Sequence, residues 1–120
     1  MTNLSVLVVE DDPSSSEILE QILEHNGMAI TTAASAEDAL NLLEQTTYDL
    51  AILDLALPGM DGWQLKEQMN AMPTAQDTIT IALTAYYTPL LAKEAKDAGF
   101  VAAFPKPITD VFVKSLQRLL

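Results

Sequence analysis

Short apolar runs and stretches of helical periodicity alternate five times along this chain. Leu4–Val9 (LSVLVV) predicts a first strand, β1, which stops at Glu10-Asp11-Asp12. Pro13 suits the first position of a helix and Asp12 its N-cap. Ile18, Leu19, Ile22 and Leu23 then give that helix, α1, one apolar face, while Glu17, Glu20 and Glu24 stay wet, and Asn26-Gly27 ends it. Met28–Thr32 predicts β2. Ser35 and Asp38 read as a capping box for α2, whose Ala36, Ala39, Leu40 and Leu43 recur at helical spacing.

Asp49–Asp54 predicts β3, followed by α3 from Asp61 to Ala71 with Leu65, Met69 and Met72 inward. Methionines at that spacing are core filling. After the Pro73–Asp77 loop, Thr78–Leu83 (TITIAL) predicts β4, ending at Thr84. Thr88-Pro89 opens α4, with Leu91, Ala95 and Ala98 inward, and Gly99 closes it. Phe100–Phe104 predicts β5, ending at Lys106, and Asp110 opens α5 with Phe112, Leu116 and Leu119 on one face.

Strands alternating with helices imply right-handed βαβ crossovers and a parallel sheet covered on both faces. The expected architecture is α/β: a flavodoxin-like, doubly wound (βα)5 fold with strand order 2-1-3-4-5 and its switch point beside β1 and β3. At 120 residues the chain is expected to form one domain, 1–120, with no repeat or linker.

Composition narrows the function. The net charge of −11 divides unevenly: residues 1–65 hold twelve acids and no Lys or Arg, whereas the rest holds six bases against five acids. A phosphate backbone needs a basic stripe, so direct nucleic-acid binding is not expected. The acidic half suits a cation or a basic partner, or is merely solvated. There is no cysteine, which fits a reducing cytoplasm. No run approaches the ~18 apolar residues of a membrane span, and the N-terminus lacks a signal peptide's basic region.

The stretch Leu50–Gly62 (LAILDLALPGMDG) concentrates the chemistry, with Asp54 where an apolar run gives way to a loop. Ligands bind beyond the carboxyl ends of such strands. In the expected order those ends carry Glu10-Asp11-Asp12, Asp54, Thr84 and Lys106. Each residue alone is more often a turn or cap residue than a ligand; their convergence carries the inference. Two like charges about 4 Å apart repel by roughly 4 kcal/mol at an effective dielectric near 20, so the acids call for a cation or for protonation. Oxygen ligands with room for water suit Mg²⁺. A carboxylate nucleophile beside a metal, a hydroxyl and an amine suits acceptance of a phosphoryl group.

At these residues the chain resembles a two-component response-regulator receiver domain over its whole length. The resembling segments are LVVEDDP at 7–13, DLALPGMDG at 54–62, LTA at 83–85 and KP at 106–107. The resemblance implies Asp54 as phosphoacceptor, Asp11 as direct Mg²⁺ ligand, Glu10 as a ligand largely through water, and the Ala56 carbonyl completing the site. It implies Thr84 as switch hydroxyl, Lys106 as the amine on the phosphoryl group, and a cis Lys106–Pro107 peptide. Asp12 falls past the family's acidic pair and stays a helix cap. The implied partner is a sensor histidine kinase or histidine phosphotransfer protein carrying phosphohistidine. The implied output runs through the α4–β5–α5 face, with Lys93, Lys96, Lys114 and Arg118, to an output domain or a second copy. Such a domain assists its own phosphorylation and dephosphorylation without turning over a substrate.

Two positions depart from the family pattern. Three residues before Lys106, where receivers usually carry Tyr or Phe, stands Ala103; Phe104 is one later, and strand alternation points it to the other face. Tyr86 or Tyr87 is then either a substitute movable ring or a loop-surface tyrosine. The second departure is Ala56, two past Asp54, where receivers often carry a larger side chain; with Tyr86, two past Thr84, it is expected to influence water access and phosphoryl lifetime. His25 reads as a helix C-terminal residue, and Trp63 as half-exposed beside the acidic loop. A metal-dependent phosphatase would want a second Asp where Ala56 stands. A flavin site would meet phosphate-repelling acids after β1. A degenerate receiver serving as a passive interaction module is favoured by Ala103 and opposed by the complete Glu10, Asp11, Asp54, Thr84 and Lys106 set.

Overall fold

A computed structural model describes residues 4–119. The elements run β1 (Ser5–Val9), α1 (Pro13–His25), β2 (Ala29–Ala33), α2 (Ala36–Gln45) and β3 (Leu50–Asp54). They continue α3 (Gly62–Asn70), β4 (Ile79–Thr84), α4 (Pro89–Asp97), β5 (Ala102–Pro105) and α5 (Asp110–Leu119). The strands form one parallel sheet in the order β2-β1-β3-β4-β5. The fold is flavodoxin-like, as expected, and no helix among the described residues is long and apolar enough to cross a membrane.

Strand alternation divides the core. Leu7, Val9, Ala51, Leu53 and Ala82 face α2, α3 and α4, meeting Ala39, Leu43, Leu65, Met69 and Ala95. Val6, Val8, Leu50, Ile52, Ile81 and Leu83 face α1 and α5, meeting Leu19, Leu23, Phe112 and Leu116. Burying a leucine fully is worth about 1.5–3 kcal/mol, and β3, buried along its whole length, is the central strand. It delivers Asp54 to the sheet's carboxyl edge.

Helix starts follow their caps. Asp12 accepts from the Ser15 N–H, Ser35 from Asp38 and Thr88 from Leu91. The reciprocal capping box lies elsewhere, at α3: the Asp61 side chain accepts from the Gln64 N–H, and the Gln64 side chain accepts from the Asp61 N–H. Asp38 had the right spacing for Ser35, but only the serine's half of that pair is present. The Lys106–Pro107 peptide is cis.

Two face assignments and one strand start need correction. Ile18 is 54% exposed and Leu119 36% exposed, because the sheet covers only one narrow strip of each helix. Phe100 is buried but precedes β5: its N–H closes α4 on Ala95 O, and the Val101 N–H reaches Thr80 O before the ladder begins.

Candidate functional site

Four chain segments meet at the carboxyl edge. Glu10 follows β1 and is 5% exposed; Asp54 ends β3 and is 6% exposed; Asp11 lies open to solvent. One carboxylate oxygen from each lies within 4.8 Å of the others. Lys106, just past β5, donates to Asp54 Oδ2 at 3.0 Å and to Glu10 Oε1. The Ala56 N–H donates to Asp54 Oδ1 at 3.1 Å, fixing the carboxylate's orientation. Glu10 Oε2 is buried without a hydrogen-bond partner, a costly state for a carboxylate oxygen.

Gly62 fixes the approach of the following loop. Its N–H donates to Leu55 O at 3.1 Å. A Cβ there would lie 2.5 Å from Asp54 O and 2.8 Å from Leu55 Cα. Only a residue without a side chain lets α3 begin so close behind the acidic carboxylate.

Electrostatics follow from two acids sharing one amine. Burial, then the neighbouring Asp54 carboxylate, pushes Glu10 up to about 7. Burial also opposes ionisation of Asp54, but hydrogen bonds involving Glu10, Lys106 and the Ala56 N–H outweigh it and hold Asp54 below the usual range. Burial acts against the Lys106 charge, yet its bonds to Glu10 and Asp54 win and raise it. Near neutrality the protein therefore holds Asp54 ionised, Lys106 charged and Glu10 poised between its two forms.

Beside the acids lies an open cleft of about 580 Å³ whose lining includes Asp11, Ala56, Trp63, Thr84 and Tyr86. Thr84 is 2% exposed, and its Oγ1 accepts the Tyr86 N–H at 3.0 Å. Trp63 is half-buried, its ring edge-on to Phe100 at 5.8 Å. A second hollow, about 450 Å³, opens on the α1 side between Glu10, Lys106, Ile18 and Ile108.

The sequence-derived residues Glu10, Asp11, Asp54 and Lys106 thus share one small site, with Ala56 and Thr84 on the cleft that Asp11 borders. Asp12 is spent as the α1 cap. Phe104 packs with Phe112 at 5.0 Å on the α1/α5 side, while Ala103 faces the opposite core. His25 lies on the groove between α1 and α5, apart from the acids. Sequence reasoning missed Lys66, a lysine 3% exposed whose Nζ donates to Thr80 Oγ1 at 3.1 Å. A lysine within an otherwise amphipathic helix gives no signal of such burial.

A family model for the response regulator receiver domain matches residues 6–116. The chain belongs to that family. Receivers are modules of two-component phosphorelay signalling and act as switches. The receiver described here is 29% identical over 119 residues to the sensory/regulatory protein RpfC of Xanthomonas campestris, covering 98% of this chain but 16% of that protein. The chemotaxis response regulator CheY4 of Vibrio cholerae superposes with a TM-score of 0.92 at 28% identity, covering 99% of this chain and all of the other. The receiver domain of the sensor histidine kinase PA1611 from Pseudomonas aeruginosa has a TM-score of 0.84 at 27% identity, covering 98% and 94%. That structure has a magnesium ion coordinated in its active-site cleft.

Proposed function

We propose that this receiver accepts a phosphoryl group on Asp54 from the phosphohistidine of a sensor histidine kinase or a histidine phosphotransfer protein. An ionised Asp54 oxygen forms the new bond to phosphorus as the P–N bond to imidazole breaks. The bonding pair leaves with the ring nitrogen, which is neutralised by protonation. Asp54 is suited to this because its neighbours keep it ionised and the Ala56 N–H holds its orientation. Lys106 is placed to follow one phosphoryl oxygen, and Thr84 lines the adjoining cleft with a hydroxyl able to donate to another.

Mg²⁺ fits the donor set. The unpartnered Glu10 Oε2 and three clustered carboxylates are hard oxygen donors with excess negative charge. Glu10, Asp11, Asp54 and the Ala56 carbonyl would hold the ion, which supplies neutralisation of the charge on the transferring group. The output reading is a change at the α4–β5–α5 surface, where Lys93, Lys96, Lys114 and Arg118 are exposed, altering contact with an output domain or a second copy.

The observation that carries this proposal is the meeting of Glu10, Asp11 and Asp54 oxygens within 4.8 Å, with Lys106 Nζ 3.0 Å from Asp54. Incubation with acetyl phosphate or phosphoramidate and Mg²⁺, followed by intact mass, tests it. One added phosphoryl, labile to base and hydroxylamine and absent in Asp54→Ala, is expected; the same gain in Asp54→Ala overturns the assignment. A second reading, a passive interaction module, is favoured by Ala103 and by Phe104 being turned into the opposite core. It requires no mass gain in the unmodified protein.

A further inference from the structure

Lys66 takes no part in the site above, yet its place is expensive. The ammonium is carried by a side chain buried to all but 3%, and among the described residues no carboxylate lies within ion-pair reach of it. Burial alone holds it below the usual lysine range. An aliphatic residue on the buried face of α3 would pack there without that cost.

The lysine's contacts tie α3 to β4 and reach the far end of α4. Lys66 Nζ donates to Thr80 Oγ1, and the Thr80 hydroxyl donates in turn to Thr78 O, both at 3.1 Å. This chain of bonds fastens α3 to β4. The stem of Lys66 runs beneath Gly99, the left-handed residue (φ +107°) that closes α4; a Cβ on Gly99 would lie 3.1 Å from Lys66 Cε. One turn along α3, Asn70 Nδ2 donates to Ala98 O, the C-cap carbonyl of α4, at 3.1 Å. A positive charge next to a helix C-terminus also suits the helix dipole.

The near end of α4 is held differently. Residues 85–90 are all exposed, Tyr86 by 75% and Leu90 by 66%. The Tyr86, Leu91 and Ala92 N–H groups bond within the segment, to Thr84 Oγ1, Thr88 Oγ1 and Thr88 O. One end of the helix is bonded to α3, whereas among the described residues the other is held only by Leu91 packing on the core and by bonds within its own segment.

We propose that Lys66 and Asn70 form an anchor that makes the C-terminal turn of α4 a pivot, so that events at Thr84 swing residues 85–90 about residues 97–99. Lys66 and Asn70 are positioning residues in this device. The direction of the swing's cause rests on the phosphoacceptor reading; the anchor itself does not.

Hydrogen exchange on the full chain tests the two parts separately. Without any ligand, Asn70→Asp, which keeps the shape and loses the donor, should speed exchange of amides 98–101 by roughly tenfold, the equivalent of one hydrogen bond. Lys66→Met, which loses the bond to Thr80 Oγ1 but keeps the stem, should speed exchange less there, and Asn70 is exposed, so its variant retains the fold if the lysine variant does not. With beryllofluoride and Mg²⁺ added, the unsubstituted protein should change protection at 85–91 but not at 98–101. In Asn70→Asp the change should spread to both. Unaltered exchange at 98–101 in ligand-free Asn70→Asp overturns the anchor whatever Asp54 does. Equal response at both ends of α4 in the unsubstituted protein overturns the pivot. No response anywhere overturns the swing, while the intact-mass result judges the phosphoacceptor reading and the ligand-free result the anchor.

Discussion

Lys106 Nζ lies 3.0 Å from Asp54 Oδ2, 52 residues away in sequence, and the same amine also bonds Glu10 Oε1. Two carboxylates from adjacent strands therefore share one cation, and the site is a charge balance that a proton shifts.

The balance makes stability depend on pH in a defined sense. The unfolded chain releases the Glu10 proton near 4.5, whereas the folded chain keeps it to about 7. Folding takes up a proton between those values, so this group's contribution weakens as pH rises through that window. Asp54 acts oppositely but elsewhere: its stabilising contribution is present above its ordinary value of 3.8 and fades only as pH falls through its lower folded value. Urea unfolding in chelator should show a midpoint that falls between about pH 5 and about pH 7. Asp54→Asn removes the neighbour that helps raise Glu10 and should flatten that slope. A slope unchanged by Asp54→Asn would show that another group carries it.

The backbone behind the site is equally exacting. Gly62→Ala would set a Cβ 2.5 Å from Asp54 O and 2.8 Å from Leu55 Cα, backbone atoms of a central strand end. Relief requires moving α3 away from β3, at a cost of about 1–3 kcal/mol. Gly27→Ala, with φ +84° but open space around it, should cost only about 1 kcal/mol, the left-handed penalty alone. Denaturant midpoints of the two variants should differ in that order. Equal midpoints would mean that the α3 start yields freely.

Much of this arrangement is legible in the sequence. Apolar runs and caps at Asp12, Ser35 and Thr88 located the strands and helix starts because both signals are local. Strand ends then placed Glu10, Asp11, Asp54, Thr84 and Lys106 on one edge, since a parallel sheet aligns its carboxyl ends. The reciprocal box at Asp61 and Gln64 is readable from its spacing, but spacing does not distinguish it from Ser35–Asp38, where only the serine's half forms. Lys66 was not readable, because its burial depends on Thr80 from another element. Nor was the outward turn of Ile18, since periodicity defines a face without saying how wide a strip the sheet will cover.

Trp63 offers an optical report on the acids. It is half-buried on the cleft that Asp11 and Thr84 also line, so a charge change there alters its surroundings. Its emission should respond to Mg²⁺ at millimolar concentration, and Asp11→Ala should abolish the response. An identical titration in Asp11→Ala would place the ion's effect elsewhere on the acidic half of the chain.

Thr84 joins the acidic site to α4. Its Oγ1 accepts the Tyr86 N–H at 3.0 Å, while the residues that follow are exposed. Thr84→Val keeps the shape and removes the hydroxyl, and the freed Tyr86 N–H can turn to water, so the loss of stability should stay near 1 kcal/mol. Asp54 keeps its carboxylate geometry through Ala56 and Lys106, so acetyl phosphate should still add one phosphoryl group. The link to α4 should be broken: exchange at residues 85–91, altered by phosphorylation in the unsubstituted protein, should no longer change in Thr84→Val. If it changes to the same extent, the signal reaches α4 by another route, and with Ala103 in place of an aromatic ring the strand β5 side would have to carry it through backbone displacement.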